Sequence, residues 1–255
     1  MRPAFRTRAA EFARQIEARG ADVVALQEVY TAAQMRYLRR LLPSLPFVAY
    51  RPGVLGQPRG ALVTLSRYPV ERPAFVTFGG TAVWRLSGRV VRVAVQVRLK
   101  GMLVTRLRGP DLVVANVHPS PNPDGDWSPG SRFEPMHRAQ LARVNAVGER
   151  YHVDVLCGDL NVASTSRLSQ DFLRSGGWYD VFGDADPPTF HLHFLGPDRD
   201  GRRSAKRIDY VLLRAGDRPP VVDDAQVLFD GPVDLPGHPA AYVSDHMALS
   251  ASVRV

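Results

Sequence analysis

Apolar residues near the start of the chain recur at spacings of three and four. Phe5, Ala9, Phe12 and Ile16 fall on one helical face, Pro3 suits a first turn and Gly20 a stop, so the spacing predicts an amphipathic helix over 3 to 19. The period then changes. Residues 22 to 27 (DVVALQ) read as a strand, and Thr31 is placed to cap a second helix that runs to about Leu42. Further strands are predicted at 46 to 51, 60 to 66, 89 to 99 and 111 to 118, with Val91, Val93, Val95 and Val97 alternating in the third. Five prolines and two glycines make 119 to 135 a long loop before a helix from about Met136 to Arg150. A short apolar strand over Val153 to Cys157, a helix near 166 to 175, and strands at 208 to 214, 221 to 229 and 247 to 254 complete the pattern. Helices alternate with groups of strands in both halves, which predicts two packed sheets covered by helices in one domain over 1 to 255.

Composition narrows the setting more than the chemistry. The formal charge of +8 favours a polyanionic partner, but 31 of the 33 basic residues are arginine, a bias that a GC-rich genome also produces. Cys157 is the only cysteine, which argues for a buried thiol in a reducing, cytoplasmic compartment and against a disulfide framework. No apolar run is long enough to cross a bilayer, and the arginine-rich start lacks the apolar stretch of a secretory signal. A monomer is expected.

The polar residues that carry chemistry fall at strand ends, in four short motifs: LQEV ending at Val29, NVH at 116 to 118, GDLN at 158 to 161 and SDH at 244 to 246. Glu28 is a candidate metal ligand; the alternative is a surface glutamate near the positive end of the second helix. In GDLN, Gly158 allows a sharp turn, and an extended backbone would point Asp159 and Asn161 into one cleft to hold water and phosphate oxygens. The competing reading is an Asx turn that merely ends a strand. Asp209 is the expected partner of His246, fixing its tautomer and stabilising its charge, unless it pairs locally with Arg207. His118 could donate to a phosphate oxygen, and Asn116 shares its side of the strand. Asp245 is a second ligand candidate, or a solvated turn residue. His191 could line the cleft, whereas His137, His152, His193 and His238 read as packing or surface residues. Trp127, Arg132 and Phe133 could stack on bases, and Arg199, Arg202, Arg203, Lys206 and Arg207 could neutralise phosphates, although polar loops are commonly just solvated. Zinc and serine-hydrolase readings fail, since no CxxC, HxxxH, HExxH or GxSxG spacing occurs.

With those residues in view, the chain resembles the endonuclease/exonuclease/phosphatase superfamily of DNase I-like fold. The likeness is carried in order by DVVALQEV, GALVTLSRYPV, LVVANVHP, HRAQL, VDVLCGDLN, PPTFH, KRIDYVLL and VSDHMAL. It implies a four-layer α/β/β/α sandwich with two mainly antiparallel mixed sheets, and a phosphodiesterase or nuclease acting by in-line attack of water on phosphorus. By resemblance Glu28 and Asp245 serve a magnesium ion, with manganese as substitute. Asp159 and Asn161 handle water and phosphate, His118 and His246 stabilise the transition state, and Asp209 supports His246. DNA or RNA is the favoured substrate. The alternatives are phosphomonoester or phospholipid-headgroup hydrolysis, the latter without an apolar hairpin suited to membranes, or a catalytically weakened binding module. That last alternative arises because family members open with a strand delivering an asparagine to the metal site, and here Met1 stands almost at the first helix. Relatives of the DNase I branch also support the first histidine with a glutamate near the position of Gly60, a role Gly60 cannot fill.

Overall fold

The computed structural model describes residues 3–79, 100–183, 185–195, 205–216 and 220–254. The strand expected over 89 to 99 and the arginines at 199, 202 and 203 lie outside the described residues.

Helix α1 spans Pro3–Arg19 and strand β1 Val23–Leu26. Helix α2, Ala32–Leu41, starts in a capping box in which the Thr31 hydroxyl accepts from the Gln34 amide while the Gln34 side chain accepts from the Thr31 amide. β2 (Phe47–Ala49) and β3 (Val63–Ser66) follow, and β3 pairs antiparallel with both β1 and β2. Ala9, Ala13 and Ile16 of α1 and Met35 and Leu38 of α2 pack with Val63 and Leu65 of β3, so the predicted amphipathic faces supply this half of the core. Leu65 is wholly buried; full burial of such a side chain contributes about 1.5–3 kcal/mol.

The second sheet has six strands in the order β4-β5-β6-β7-β9-β8. These are β4 (Ala74–Thr77), β5 (Gly101–Arg106), β6 (Val113–His118), β7 (Val155–Asp159), β8 (Trp178–Asp180) and β9 (Asp209–Arg214). Among the described residues only β6 and β7 run parallel. Parallel neighbours require a crossover, supplied by the long loop and helix α3, Glu134–Arg150. Helix α4, Arg167–Gly176, is capped by the Ser166 hydroxyl and ends at Gly177 in left-handed geometry. Leu141, Val144 and Val147 of α3 and Leu168 and Phe172 of α4 cover one face of this sheet. The layers are therefore helices, sheet, sheet, helices, as the sequence predicts.

Strand β10 (Val221–Leu228) pairs with β13 (Ala248–Arg254), and β11 (Val233–Leu235) with β12 (His238–Ala241). β13 contacts β9 and β1 contacts β7, which places both on the inner face of the six-stranded sheet. Among the described residues β1 and β13 each pair along one edge only, and both line the same cleft of about 2740 Å³. The layer expected to hold one sheet thus contains two pieces, β1-β3-β2 and β10-β13, with open edges toward the cleft. Four short strands, β4, β8, β11 and β12, and β5 escape the sequence reading.

Candidate active site

Strand ends bring the chemistry together at one end of the cleft. GDLN terminates β7. Gly158 lies within that strand and is not the expected turn: at φ +140°, a Cβ there would stand 2.1 Å from the Val117 carbonyl oxygen of β6. Only glycine permits the parallel pairing that carries Asp159 forward. The turn follows at Asn161, which adopts φ 54°, a left-handed conformation uncommon outside glycine, so the backbone is not extended as expected. Its amide donates to Asp159 Oδ1 at 2.7 Å, and its Nδ2 donates to Asp159 Oδ2 at 3.0 Å and to the Pro119 carbonyl at 3.3 Å. The Asx turn and the cleft-facing carboxylate, read from sequence as competitors, coexist.

Asp159 lies between two imidazoles. His118 Nε2 is 3.4 Å from Asp159 Oδ2, and His246 Nε2 is 4.0 Å from the same oxygen. His246 Nδ1 is 2.8 Å from Asp209 Oδ2. Burial opposes charge on His246, but Asp209, followed by Asp159 and Asp245, outweighs it and raises the imidazole to about 10. Burial also pushes the Asp159 carboxyl upward, yet hydrogen bonding and charge from His118 and the charge of His246 leave it below the usual range. Asp209 goes the other way, raised by burial and by the neighbouring charge of Asp159. The geometry is a preformed chain of alternating acids and imidazoles.

Asp209 is itself held from behind. The Thr189 hydroxyl accepts from the amides of Ile208 and Asp209 at 3.0 and 3.1 Å. Phe190 places its ring edge-on to the His246 imidazole, 5.0 Å between centroids. Arg207, the alternative partner of Asp209, is buried and pairs instead with Asp180 and Asp186, which also removes it from the phosphate-neutralising segment expected from sequence.

Glu28 lies past the end of β1 at φ 61°, and the following amide, Val29, is fixed by the Ala61 carbonyl at 3.0 Å. It lines the cleft with Asp159, Asp209, Asp245, His118 and His246. Burial first, and then the nearby carboxylates of Glu28 and Asp245, push the Tyr30 phenol above its usual range. Glu28 and Asp245 thus share with Tyr30 the lining of one cleft. Asp159, Asp209 and His246 each offer a ligand atom within 4.8 Å of the others. His246, cationic and bonded to Asp209, has no lone pair to give a metal, whereas the carboxylate oxygens of Glu28 and Asp245 on the same cleft fit a hard divalent cation such as magnesium.

Other sequence candidates are placed differently. Asn116 is fully buried and spans the sheets: its Nδ2 donates to the carbonyls of Leu26 and Val63, and its Oδ1 accepts from Gln27, so it is a bolt between layers. His191 is buried, with Nε2 3.0 Å from the Phe229 carbonyl and its ring against Tyr242. Arg132 lies over the Phe133 ring, 3.9 Å from Asp124, and is absent from the cleft lining. Trp127 does line the cleft, but its indole N–H donates to the Asn161 carbonyl at 3.0 Å. Cys157 is half-buried where full burial is expected; burial pushes its thiol up to about 12. His137 packs inside, 2.8 Å from the Ser120 carbonyl. Sequence reasoning missed Tyr30, Thr189, Phe190 and Lys100. For Thr189 and Phe190 the signal was present in PPTFH and was spent on His191.

Fold and site together define a DNase I-like α/β/β/α protein with an acid–imidazole centre at the strand ends. The sequence matches the Endonuclease/Exonuclease/phosphatase family over residues 3–246, and the chain belongs to that family. No curated protein matches it in sequence. It is similar to D. rerio TDP2 complexed with single strand DNA product (16% identity, covering 98% of this chain and 92% of that one, TM-score 0.66). Sphingomyelinase C from Streptomyces griseocarneus is similar at 19% identity, 98% and 92% coverage and TM-score 0.65. So is beta toxin from Staphylococcus aureus, an F277A, P278A mutant with bound magnesium ions, at 16% identity, 98% and 92% coverage and TM-score 0.66. The family resemblance and the four-layer fold read from sequence are both borne out.

Proposed function

We propose that the protein is a divalent-metal-dependent phosphodiesterase that hydrolyses its substrate by in-line attack of water on phosphorus. The run Asp209–His246–Asp159–His118, closed by contacts of 2.8, 4.0 and 3.4 Å, carries the reading. Asp159, fixed as an anion, accepts a proton from the attacking water, and Asn161 holds the carboxylate in place through both its nitrogens. His246, kept cationic by Asp209, donates to an oxygen that gains charge at phosphorus; His118 flanks the opposite side of Asp159. Glu28 and Asp245 would hold magnesium, or manganese in its place, which when bound supplies Lewis-acid stabilisation of the phosphoryl oxygens.

DNA or RNA is the favoured substrate class, supported by the formal charge of +8 and by the fold shared with a protein solved on single strand DNA. One observation favours lipid headgroups as the second reading. Val54 and Leu55 are 98% and 87% exposed on the loop between β2 and β3, an apolar tip the sequence reading did not find, and a sphingomyelinase shares the fold. No helix among the described residues is long and apolar enough to cross a membrane. A reducing, cytoplasmic setting is proposed from the lone Cys157.

Hydrolysis of bis(p-nitrophenyl) phosphate with and without magnesium or manganese, alongside Asp159→Ala, tests the activity. Metal-dependent turnover lost in the variant is expected; turnover that persists in Asp159→Ala refutes the site. Single-stranded DNA, RNA and sphingomyelin vesicles, compared under the same conditions, separate the substrate classes.

A further inference from the structure

Lys100, which immediately precedes β5, turns its side chain into the cleft, and its Nζ lies 2.9 Å from Nδ1 and 2.7 Å from Nε2 of His118. An ammonium has three donors and no acceptor. A neutral imidazole offers one lone pair, so at most one of those donors is satisfied by the ring. No other acceptor for Lys100 occurs among the described residues. Burial holds the ammonium below its usual range, an effect that the charges of Glu28 and Asp159 in the same cleft only partly offset. Lys100 is moreover one of two lysines in a chain with 33 basic residues. A half-buried cation with unused donors, against the histidine that flanks the proposed water-activating carboxylate, is built for an anionic ligand.

We propose that Lys100 is a further substrate-binding residue, donating directly to a nonbridging oxygen of the scissile phosphate beside His118. This rests on the phosphodiesterase reading for the identity of the substrate, but not for the existence of an anion site. Beside His118 the ammonium concentrates positive charge on the wall of the cleft that Asp159 also lines. Lys100 gives a compact charge with rotatable donors, which suits a tetrahedral oxyanion reached from one side.

Binding of inorganic phosphate to the metal-free protein, followed by calorimetry, tests the site without requiring turnover. Lys100→Met is expected to weaken binding roughly ten- to hundredfold, the worth of one charge-assisted hydrogen bond, with an unchanged circular dichroism spectrum. Lys100→Arg, which keeps the charge, should stay within about threefold of the wild type. The decisive comparison is made in a His118→Ala background. If Lys100 touches the anion itself, adding Lys100→Met there causes a further loss of comparable size. If Lys100 acts only by holding His118, the second substitution changes nothing and the proposal is overturned. Absence of phosphate binding by the wild type, or equal losses in the Met and Arg variants, overturns it as well. Failure of the wild type to cleave bis(p-nitrophenyl) phosphate while the binding differences persist would remove the phosphodiesterase reading alone.

Discussion

Two charge clusters stand two residues apart at the start of β9, and they are built for opposite ends. Arg207 is 2% exposed, held bidentate by Asp180 at 2.7 and 3.1 Å and by Asp186 at 2.9 Å, with its guanidinium over the Tyr210 ring at 4.8 Å. Every charge there has a fixed opposite and none meets the cleft. Asp209 faces the other way, into a run of two carboxylates and two imidazoles joined by contacts of 2.8, 4.0 and 3.4 Å, in which His246 remains 27% exposed. The first cluster spends its charge internally; the second keeps unsettled charge where a ligand arrives. Proximity in sequence and similarity of residue type therefore say little about role, and the number of unmatched groups says much.

Neutralising the unsettled cluster should cost catalysis and leave the fold alone. Asp159→Asn is expected to lower the rate on bis(p-nitrophenyl) phosphate about 10³-fold. Its stability should fall only modestly, because a carboxylate held below its usual range gives up the favourable charges of His118 and His246 while Asp209 is relieved of a like charge; a variant that unfolds in urea well before the wild type would contradict this. Breaking the settled cluster should do the reverse. Arg207→Ala strands Asp180 in the interior and should cost about 3–5 kcal/mol in urea denaturation, with the rate per folded molecule within about threefold of wild type. Replacing Arg207 and Asp180 together by Met and Leu should recover most of that loss.

The pH response sharpens the same contrast. His246 is raised in the folded protein to about 10 from an unfolded value of 6.5, so its stabilising contribution is complete below about pH 6.5 and is lost as pH rises through about 10. Metal-free protein titrated with urea across that window should weaken steadily, and Asp209→Asn should flatten the dependence. An unchanged slope in that variant would show that Asp209 does not hold the proton on His246. The smallest effect concerns Trp127, whose indole hydrogen bond to Asn161 pins a left-handed turn. Trp127→Phe should cost about 1 kcal/mol and lower the rate a few-fold at unchanged KM, whereas a stacking role would raise KM instead.

Helices were legible because their signals are local. The Thr31 capping box, the α1 face and the α3 boundary all follow from residues three or four apart. The same holds for β1, β6 and β7, whose apolar runs end in the motifs, and for β9, whose run begins at Asp209. β8 and β11, each three residues long, and β4 at four, escaped because so few positions cannot display a period. In the site, Asp209 and His246 could be paired from sequence because motif chemistry demands a partner. Asn116, His191 and Trp127 could not be assigned, because the choice between a bolt and a ligand contact depends on which carbonyl happens to lie 3 Å away. Lys100 belongs to no motif, and its rarity as one of two lysines says nothing of its place; its neighbour His118 reaches it through the β5–β6 pairing, in which Gly101 lies opposite His118.

The open edges of β1 and β13 bear on how the protein behaves at high concentration. Exposed strand edges are ordinarily guarded by charge, bulges or proline. β10, beside β13, is bulged between Val222 and Asp224, and β13 ends at Arg254, but β1 consists of Val23, Val24, Ala25 and Leu26 with no charge among them. That stretch combines β-propensity with a row of backbone groups that, among the described residues, pairs along one edge only and lines the cleft along the other. Self-association of concentrated samples should therefore begin at β1, with light scattering suppressed by a lysine introduced at Ala25.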